Sequence, residues 1–178
     1  PTRCLYGLGA DAMNPAAVER VIKIKQRPTD NPILVLIDSK NQLEMLVGKI
    51  PAAAGAIMKA FWPGRVTLVF DARDTLPDVL TAQTGKIGVR LIGHPVAAAM
   101  LRQINGPVTG TSANLSGRPA CNRVADLDPR IAGQVDLILD AGALQGGAGS
   151  TVVDVTEKPP RILREGEVTA GQIRSVLI

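Results

Sequence analysis

The segment VTGTSANLSGRP, residues 108–119, places a polar loop in the middle of an apolar pattern. A helical pattern spans residues 95–104 before it, and the strand-like run VDLILD, residues 135–140, follows it. Gly110 and Gly117 would let a ligand approach the backbone closely. Because α/β proteins bind ligands in loops that follow strands, we predict that this segment lines a ligand site. The alternative is an ordinary polar connection between two elements.

The elements around this loop alternate between strand and helix, which is typical of an α/β domain. Helices are predicted to start at residues with capping or first-turn preferences, namely Pro15, Ser39, Pro51, Pro95 and Thr169. Asn14 is the predicted cap before Pro15, and Thr169 is predicted to form a capping box with Gln172. The first helix is expected to end at Pro28. Strands are predicted at apolar runs, namely residues 33–37, 66–70, 86–92, 135–140, 151–155 and 160–164.

Composition limits the possible core and partners. Hydrophobic residues make up 46% of the 178 residues but aromatic residues only 2%, so the core must be aliphatic. Lys and Arg number 20 against 16 Asp and Glu, a net charge of +4. This balance favours an anionic partner, either a nucleotide or a nucleic acid. A mildly basic soluble enzyme is the plainer interpretation.

We expect one domain over residues 1–178, because no repeat, charge block or linker divides the chain. The loop YGLG follows Pro1 and Thr2 at once, where a strand would normally precede it. A native N-terminal helix and strand are therefore expected before Pro1, and the sheet should be one strand short without them. Cys4 and Cys121 match no zinc spacing, and no apolar run reaches membrane-spanning length. We expect a reduced, cytoplasmic protein with no membrane contact and no metal site of its own.

Three further features of the sequence allow either a structural or a functional interpretation. GLGADA, residues 7–12, fits a dinucleotide fingerprint, but a plain glycine turn is preferred because the helix does not start directly after the glycines. Lys25 and Arg27 lie at an exposed helix end, where cations complement the helix dipole. They could equally form an anion clamp. The only histidine, His94, is expected to be a structural residue at a helix cap rather than a general base.

Seven pieces of the chain, taken together and in order, resemble the YrdC/TsaC family of threonylcarbamoyl-AMP synthases. They are Pro1-Thr2 with YGLG, KQRP with Asn31, FWPGRVTLVF, GVRLIGHP, TSANLSGRP, STVVDV and RILREG. The resemblance implies a twisted mixed β-sheet flanked by helices, with a basic concave groove. It also implies the synthesis of threonylcarbamoyl-AMP and pyrophosphate from ATP, L-threonine and bicarbonate. The product would feed tRNA modification through a downstream threonylcarbamoyl-transferase complex.

The resemblance also implies roles for individual residues. The catalytic set would be Lys25, Arg27, Ser112 and Asn114. The same four residues would bind ATP, together with Asn31 and Arg164. The threonine pocket would contain Thr2, Tyr6, Arg90, Thr111 and Ser150, with Arg90 as the partner of the carboxylate. Mg²⁺ would arrive with ATP and need no protein cage.

Some residues depart from the family pattern. Leu36 replaces a frequent His, Lys86 a frequent Thr, and Arg65 and Glu165 each a Pro. Leu36 and Lys86 therefore leave the finer substrate contacts open. Two other functions remain in view: a module that binds tRNA or double-stranded RNA through the basic groove, and the carbamoyl-transferring domain of a hydrogenase-maturation protein, which shares this fold.

Overall fold

A six-stranded mixed β-sheet forms the centre of the computed structural model, which describes residues 1–177. The strands of the chain are β1 (Gly7–Leu8), β2 (Val35–Ile37), β3 (Val66–Asp71), β4 (Lys86–Leu91), β5 (Val108–Thr109), β6 (Thr111–Ser112), β7 (Thr151–Asp154) and β8 (Arg161–Arg164). The large sheet has the order β5-β2-β4-β3-β7-β8, with β2 parallel to β4, β3 parallel to β7 and the other neighbours antiparallel. β1 and β6 form a separate antiparallel pair. The mixed α/β fold predicted from the sequence is confirmed.

Helices flank this sheet. They are α1 (Pro15–Lys25), α2 (Lys40–Leu46), α3 (Ala52–Phe61), α4 (Asp78–Thr81), α5 (Pro95–Ile104), α6 (Pro129–Ala132) and α7 (Ala170–Ser175). The five predicted starts are confirmed, including the capping box of Thr169 with Gln172. α4 and α6 were missed because four residues are too short to show a helical period. No helix within residues 1–177 is long and apolar enough to cross a membrane.

The first helix ends earlier than Pro28. Gln26 takes a left-handed conformation with φ 52°, and its N–H donates to the carbonyl groups of Ile22 and Lys23. This arrangement closes the helix at Lys25. The lysine side chain therefore leaves the last helical turn and points toward the neighbouring loop, with which it makes the contacts described below.

The two faces of the sheet have different environments, and β4 shows the division. Ile87 and Val89 are fully buried in the main core, together with alternate residues of β2, β3 and β7. Successive side chains of a strand point to opposite faces. Lys86, Gly88 and Arg90 therefore lie on the other face, which lines a cavity. The polar residues within these apolar strands are thus placed together by strand periodicity.

The predicted strand at residues 135–140 is wrong. This segment has no regular structure, and Leu137 and Ile138 are 70% and 41% exposed. Its apolar–polar alternation is that of a strand, but a strand needs a neighbour with free backbone groups. None of the strands within residues 1–177 pairs with it. Arg20 instead holds the segment through the carbonyl of Gln134 and the carboxylate of Asp136.

Candidate functional site

A cavity of about 790 Å³ opens on the face of the sheet that carries Lys86, Gly88 and Arg90. Strands form its floor, and the 110–118 loop and residues 2–7 contribute its walls. Cations outnumber carboxylates in the lining: Arg3, Lys25, Arg27, Lys86, Arg90, Arg118, Arg161 and Arg164 against Asp154 and Glu167. Such a lining suits an anionic ligand.

The structure brings all eleven predicted site residues to this one cavity. They are Thr2, Tyr6, Lys25, Arg27, Asn31, Arg90, Thr111, Ser112, Asn114, Ser150 and Arg164. These residues come from both ends and the middle of the chain, so their meeting is a result of the fold. Their individual binding roles remain predictions.

The ammonium group of Lys25 binds the serine–asparagine part of the 110–118 loop. Its Nζ lies 2.7 Å from the carbonyl oxygen of Ser112, 2.9 Å from that of Asn114, 2.8 Å from Asn114 Oδ1 and 3.3 Å from Ser112 Oγ. Ser112 Oγ donates to Asn114 Oδ1 at 2.5 Å. Ser116 N–H donates to the carbonyl of Lys25. The end of α1 and the loop are therefore one hydrogen-bonded unit.

The expectation that Lys25 is exposed is wrong, because the residue is only 3% accessible. Burial lowers the pKa of Lys25 from 10.5 to about 8, and the positive charge of Arg27 adds to this shift. The carbonyl groups of the loop need donors, and the ammonium group supplies them. Lys25 thus positions Ser112 and Asn114 whether or not it also touches a ligand.

Arg27 is half-buried two residues beyond the end of α1. Its Nη2 donates to the carbonyl of Pro32 at 2.8 Å, and its Nε donates to the carbonyl of Asn31 at 3.3 Å. Burial lowers the pKa of Arg27, and the charge of Asp30 opposes the shift. The guanidinium is therefore fixed beside Asn31, and both residues line the cavity.

Arg90 differs from these residues because part of its guanidinium has no protein partner. Its buried Nε has no hydrogen-bond acceptor within residues 1–177. Burial lowers the pKa of Arg90 to about 10, and Arg164 lowers it further. Arg164 itself donates to the carbonyl of Ser150 at 2.8 Å. An unpaired buried donor is costly, so this end of the cavity favours an anionic ligand.

The hydroxyl groups near Arg90 already have protein contacts. Ser150 Oγ and Thr67 Oγ1 lie 2.8 Å apart, and Thr2 Oγ1 donates to the carbonyl of Leu5 at 2.7 Å. The hydroxyl of Tyr6 donates to Gly142 or Asp140 and accepts from the N–H of Ala141. Tyr6 therefore contacts the cavity with its ring and anchors the 140–142 turn with its hydroxyl.

Gly110 has a packing role that the sequence interpretation missed. A Cβ at this position would lie 2.6 Å from Cγ of Leu36. The glycine therefore makes room for Leu36, and its backbone also lines the cavity. The expectation that it lets a ligand approach stays a prediction. Leu36 is buried in a small apolar cluster against α5 with Ile92 and Leu101. Its departure from the family pattern thus changes core packing.

Lys86, the other departure, enters the cavity. Its Nζ lies 2.8 Å from Oδ2 of Asp154, which is 2% accessible. Desolvation raises the pKa of Asp154, but hydrogen bonds from Lys86 and Thr156 outweigh it and lower the pKa overall. Asp154 and Thr67 were missed as lining residues. The available signal was a polar residue inside each apolar run, Asp154 in TVVDV and Thr67 in VTLVF.

The remaining departures join segments at the rim. Glu167 Oε1 lies 2.9 Å from Arg3 Nη2 and 3.3 Å from Arg65 Nε. Glu165 accepts from the N–H of Ala170 at the start of α7. These contacts link residues 3, 65 and 167 across the edge of the cavity. The positions where the family frequently has Pro therefore carry polar contacts in this chain.

The structural interpretation fits the glycine-rich motif, and His94 lies at the helix cap where the sequence predicts it. Gly9 lies in the glycine-rich motif, where a Cβ would meet the carbonyl oxygen of Thr109 at 2.8 Å, so this motif serves backbone packing. His94 is the N-cap residue of α5 and makes no capping bond with its side chain. Its Nδ1 is buried without a partner in residues 1–177, and burial lowers its pKa.

A mixed sheet that carries a cavity lined mainly by cations on one face, and a loop held there by a buried lysine, together define the class: an α/β domain with a cavity suited to an anionic small molecule. The family follows from the comparison with known proteins. The model of the Sua5–YciO–YrdC family, described as telomere recombination, matches residues 1–166. The chain belongs to this family.

Two relatives and one solved structure show how close the similarity is. The threonylcarbamoyl-AMP synthase of Bacillus subtilis is 41% identical and that of Pyrococcus abyssi 37% identical. The alignments cover 99% of this chain and 51% and 52% of those relatives. A structure of P. abyssi Sua5 complexed with L-threonine is similar with a TM-score of 0.95 at 37% identity, over 99% of this chain and 52% of that one. The chain therefore spans about half the length of these relatives.

Proposed function

We propose that this chain is an L-threonylcarbamoyladenylate synthase, a nucleotidyltransferase that uses ATP, L-threonine and bicarbonate. The observation that carries the proposal is the meeting of two features in one cavity. One is the serine–asparagine loop held by Lys25, and the other is the buried Nε of Arg90, which has no acceptor within residues 1–177. The names of the relatives from B. subtilis and P. abyssi support the same activity.

The reaction has two steps. The amine of threonine and bicarbonate form an N-carboxylate with loss of water. A carboxylate oxygen then attacks the α-phosphorus of ATP, the bond from that phosphorus to the β-phosphate oxygen breaks, and pyrophosphate leaves. Catalysis of this kind rests on positioning and on cations that stabilise phosphate charge.

The cavity offers groups for each part of this reaction. Arg90 would bind the threonine carboxylate, with Thr2, Tyr6, Thr111 and Ser150 around the amino acid. Arg27, Asn31 and Arg164 would contact the nucleotide. Ser112 and Asn114 would contact it from the opposite wall, and Lys25 would fix their positions through the contacts already described.

Mg²⁺ would be held by the triphosphate and supply compensating charge there. Both carboxylates of the lining are engaged by cations, Asp154 by Lys86 and Glu167 by Arg3 and Arg65. No group of three or more metal-binding side chains occurs in the part of the chain that the structure describes. A magnesium ion that keeps its water ligands and binds substrate phosphates fits this donor set.

The adenylate product would pass to a threonylcarbamoyl-transferase complex that modifies tRNA in the cytoplasm. A mixed anhydride of this kind is reactive, so a direct contact with tRNA or with the transferase would protect it. The cationic lining supports such a contact. Binding of tRNA that falls steeply with salt would be its signature.

The test is incubation of the protein with ATP, Mg²⁺, bicarbonate and one amino acid at a time, with mass spectrometry of the adenylates. We expect the yield to fall in the order threonine, serine, valine. Valine lacks the hydroxyl and would leave pocket groups unpaired, whereas serine lacks only a methyl group. Equal yields from valine and threonine would contradict the threonine pocket.

Two outcomes would favour the other functions. Tight binding of double-stranded RNA without any adenylate would favour the RNA-binding module. An adenylate formed from a carbamoyl donor without an amino acid would favour the carbamoyl-transferring domain of the hydrogenase-maturation type.

A further inference from the structure

The floor of the cavity has a cation at each end of one strand. Lys86 and Arg90 project from the same face of β4, with Gly88 between them. Four residues of an extended strand span about 13 Å. One amino acid spans only about 3.5 Å, so a threonine bound at Arg90 does not reach Lys86. The two cations therefore serve different parts of the ligands.

Lys86 is fixed at its end by a carboxylate two strands away. Asp154 lies on β7, beyond β3, so the lysine side chain crosses the floor of the cavity to reach it. Asp71 is directly opposite Lys86 in the register, yet the ion pair is with Asp154. Oδ1 of Asp154 accepts from the N–H and Oγ1 of Thr156. One bond leaves the ammonium group with two further donors, and the side chain is 35% exposed.

Arg27 lies at the same end of the cavity as Lys86. β2 and β4 are parallel, with Val35 opposite Val89, and the Cα of Leu34 lies 3.9 Å from an ideal Cβ at Gly88. Pro32, two residues earlier, is therefore level with Lys86, two residues before Gly88. Since Arg27 donates to the carbonyl of Pro32, its guanidinium lies near the level of the Lys86 backbone. The Lys86 ammonium reaches the level of Gly88 on the β7 side, because Asp154 is in register with Val69 and Val69 with Gly88. Both residues line the cavity.

We propose that Lys86, together with Arg27, binds the β- and γ-phosphates of ATP and holds the leaving pyrophosphate. The proposal rests on the proposed function. In an in-line displacement the leaving group lies opposite the attacking oxygen. A nucleophile anchored at Arg90 would therefore direct pyrophosphate toward Lys86 and Arg27. Gly88 and Val69 are uncharged parts of the floor between Arg90 and Arg27, and they leave room for the α-phosphate beside the Lys86–Asp154 ion pair.

The experiment measures the binding of pyrophosphate, ATP, AMP and threonine, each with Mg²⁺, to the wild-type protein and to Lys86→Met by calorimetry. We expect pyrophosphate and ATP to bind about 10- to 100-fold more weakly, because a charge-assisted contact is lost. Binding of AMP and threonine should not change. Lys86→Arg keeps a cation at this position and should restore pyrophosphate binding in large part. A purely structural role of the lysine would instead lower the binding of all four ligands in Lys86→Met.

Two controls separate charge from folding. Lys59→Met removes an exposed lysine from α3 outside the cavity and should change no affinity. Lys86→Met with Asp154→Asn avoids a buried unpaired carboxylate and should show the same selective loss. Unchanged pyrophosphate binding in a folded variant, or an equal loss for AMP, would overturn the assignment.

Failure of the proposed function and failure of the Lys86 assignment give different experimental results. If the wild-type protein forms no threonine adenylate but Lys86→Met still loses pyrophosphate binding, Lys86 remains a polyphosphate ligand and only the reaction is wrong. If threonine adenylate forms at the wild-type rate in Lys86→Met, with the wild-type KM for ATP, only the assignment of Lys86 is wrong.

Discussion

Lys25 and Arg90 are cations of the same cavity, and burial lowers the pKa of both. Their hydrogen bonding is opposite. The ammonium of Lys25 is surrounded by four oxygen atoms of Ser112 and Asn114, whereas the buried Nε of Arg90 has no acceptor in residues 1–177. The Lys25 side of the cavity is completed by the protein itself. The Arg90 side is left for a ligand to complete.

The largest effect is expected from substitution of Lys25. Lys25→Met removes the donor of several loop oxygens, and unsatisfied buried groups cost about 1–3 kcal/mol each. We expect a loss of about 2–4 kcal/mol of stability and a fall in Tm of about 5–15 °C, together with most of the ATP affinity. Thermal unfolding and calorimetry would show both.

The matched control for Lys25 is Lys23→Met, which removes an exposed cation from the same last turn of α1. It should leave Tm and ATP affinity unchanged. An equal loss in both variants would mean that the helix end needs positive charge in general, and that the loop contacts matter little.

Arg90 should show the reverse behaviour. Arg90→Met is expected to weaken threonine binding about 10- to 100-fold, since the substrate carboxylate loses charge-assisted hydrogen bonds. Its Tm should stay the same or rise, because a partly desolvated cation is removed. Arg90→Lys keeps the charge but loses the bidentate geometry of the guanidinium. Its affinity for threonine should lie between those of the wild type and Arg90→Met. If Arg90→Met lowers Tm as much as Lys25→Met does, the proposed difference between the Lys25 side and the Arg90 side of the cavity is wrong.

The smallest effect concerns pH. The folded protein releases the Lys25 proton near pH 8, whereas an unfolded lysine keeps it until about pH 10.5. Between these values the unfolded state binds more protons, so the free energy of unfolding should rise with pH. Denaturant titrations at several pH values should show this rise in the wild type and in Lys23→Met, but not in Lys25→Met. The same slope in all three proteins would assign it to another group.

Local signals predicted the elements of this fold well. Asn14 caps α1 and Thr169 with Gln172 caps α7, as their spacing indicates, because capping depends on residues a few positions apart. The strand at 135–140 failed for the opposite reason. A strand exists only with a partner, and partner choice depends on distant parts of the chain.

The candidate site shows the same limit. The resemblance to a family indicated the residues of the cavity, but burial of Lys25 could not be predicted. It depends on contacts with Ser112 and Asn114, which are 87 and 89 positions away. The separation of Leu36 from the cavity likewise depends on its packing against Gly110 and α5.

The ion pairs of Glu167 with Arg3 and Arg65 at the rim of the cavity join residues that the ribosome adds at very different times. A ribosome that adds about 5–20 residues per second reaches residue 167 roughly 10–30 s after residue 3 at those rates. Until then both arginines lack their carboxylate partner. The rim can therefore close only after residue 167 has been added, and until then the nascent chain has no complete wall around the cavity.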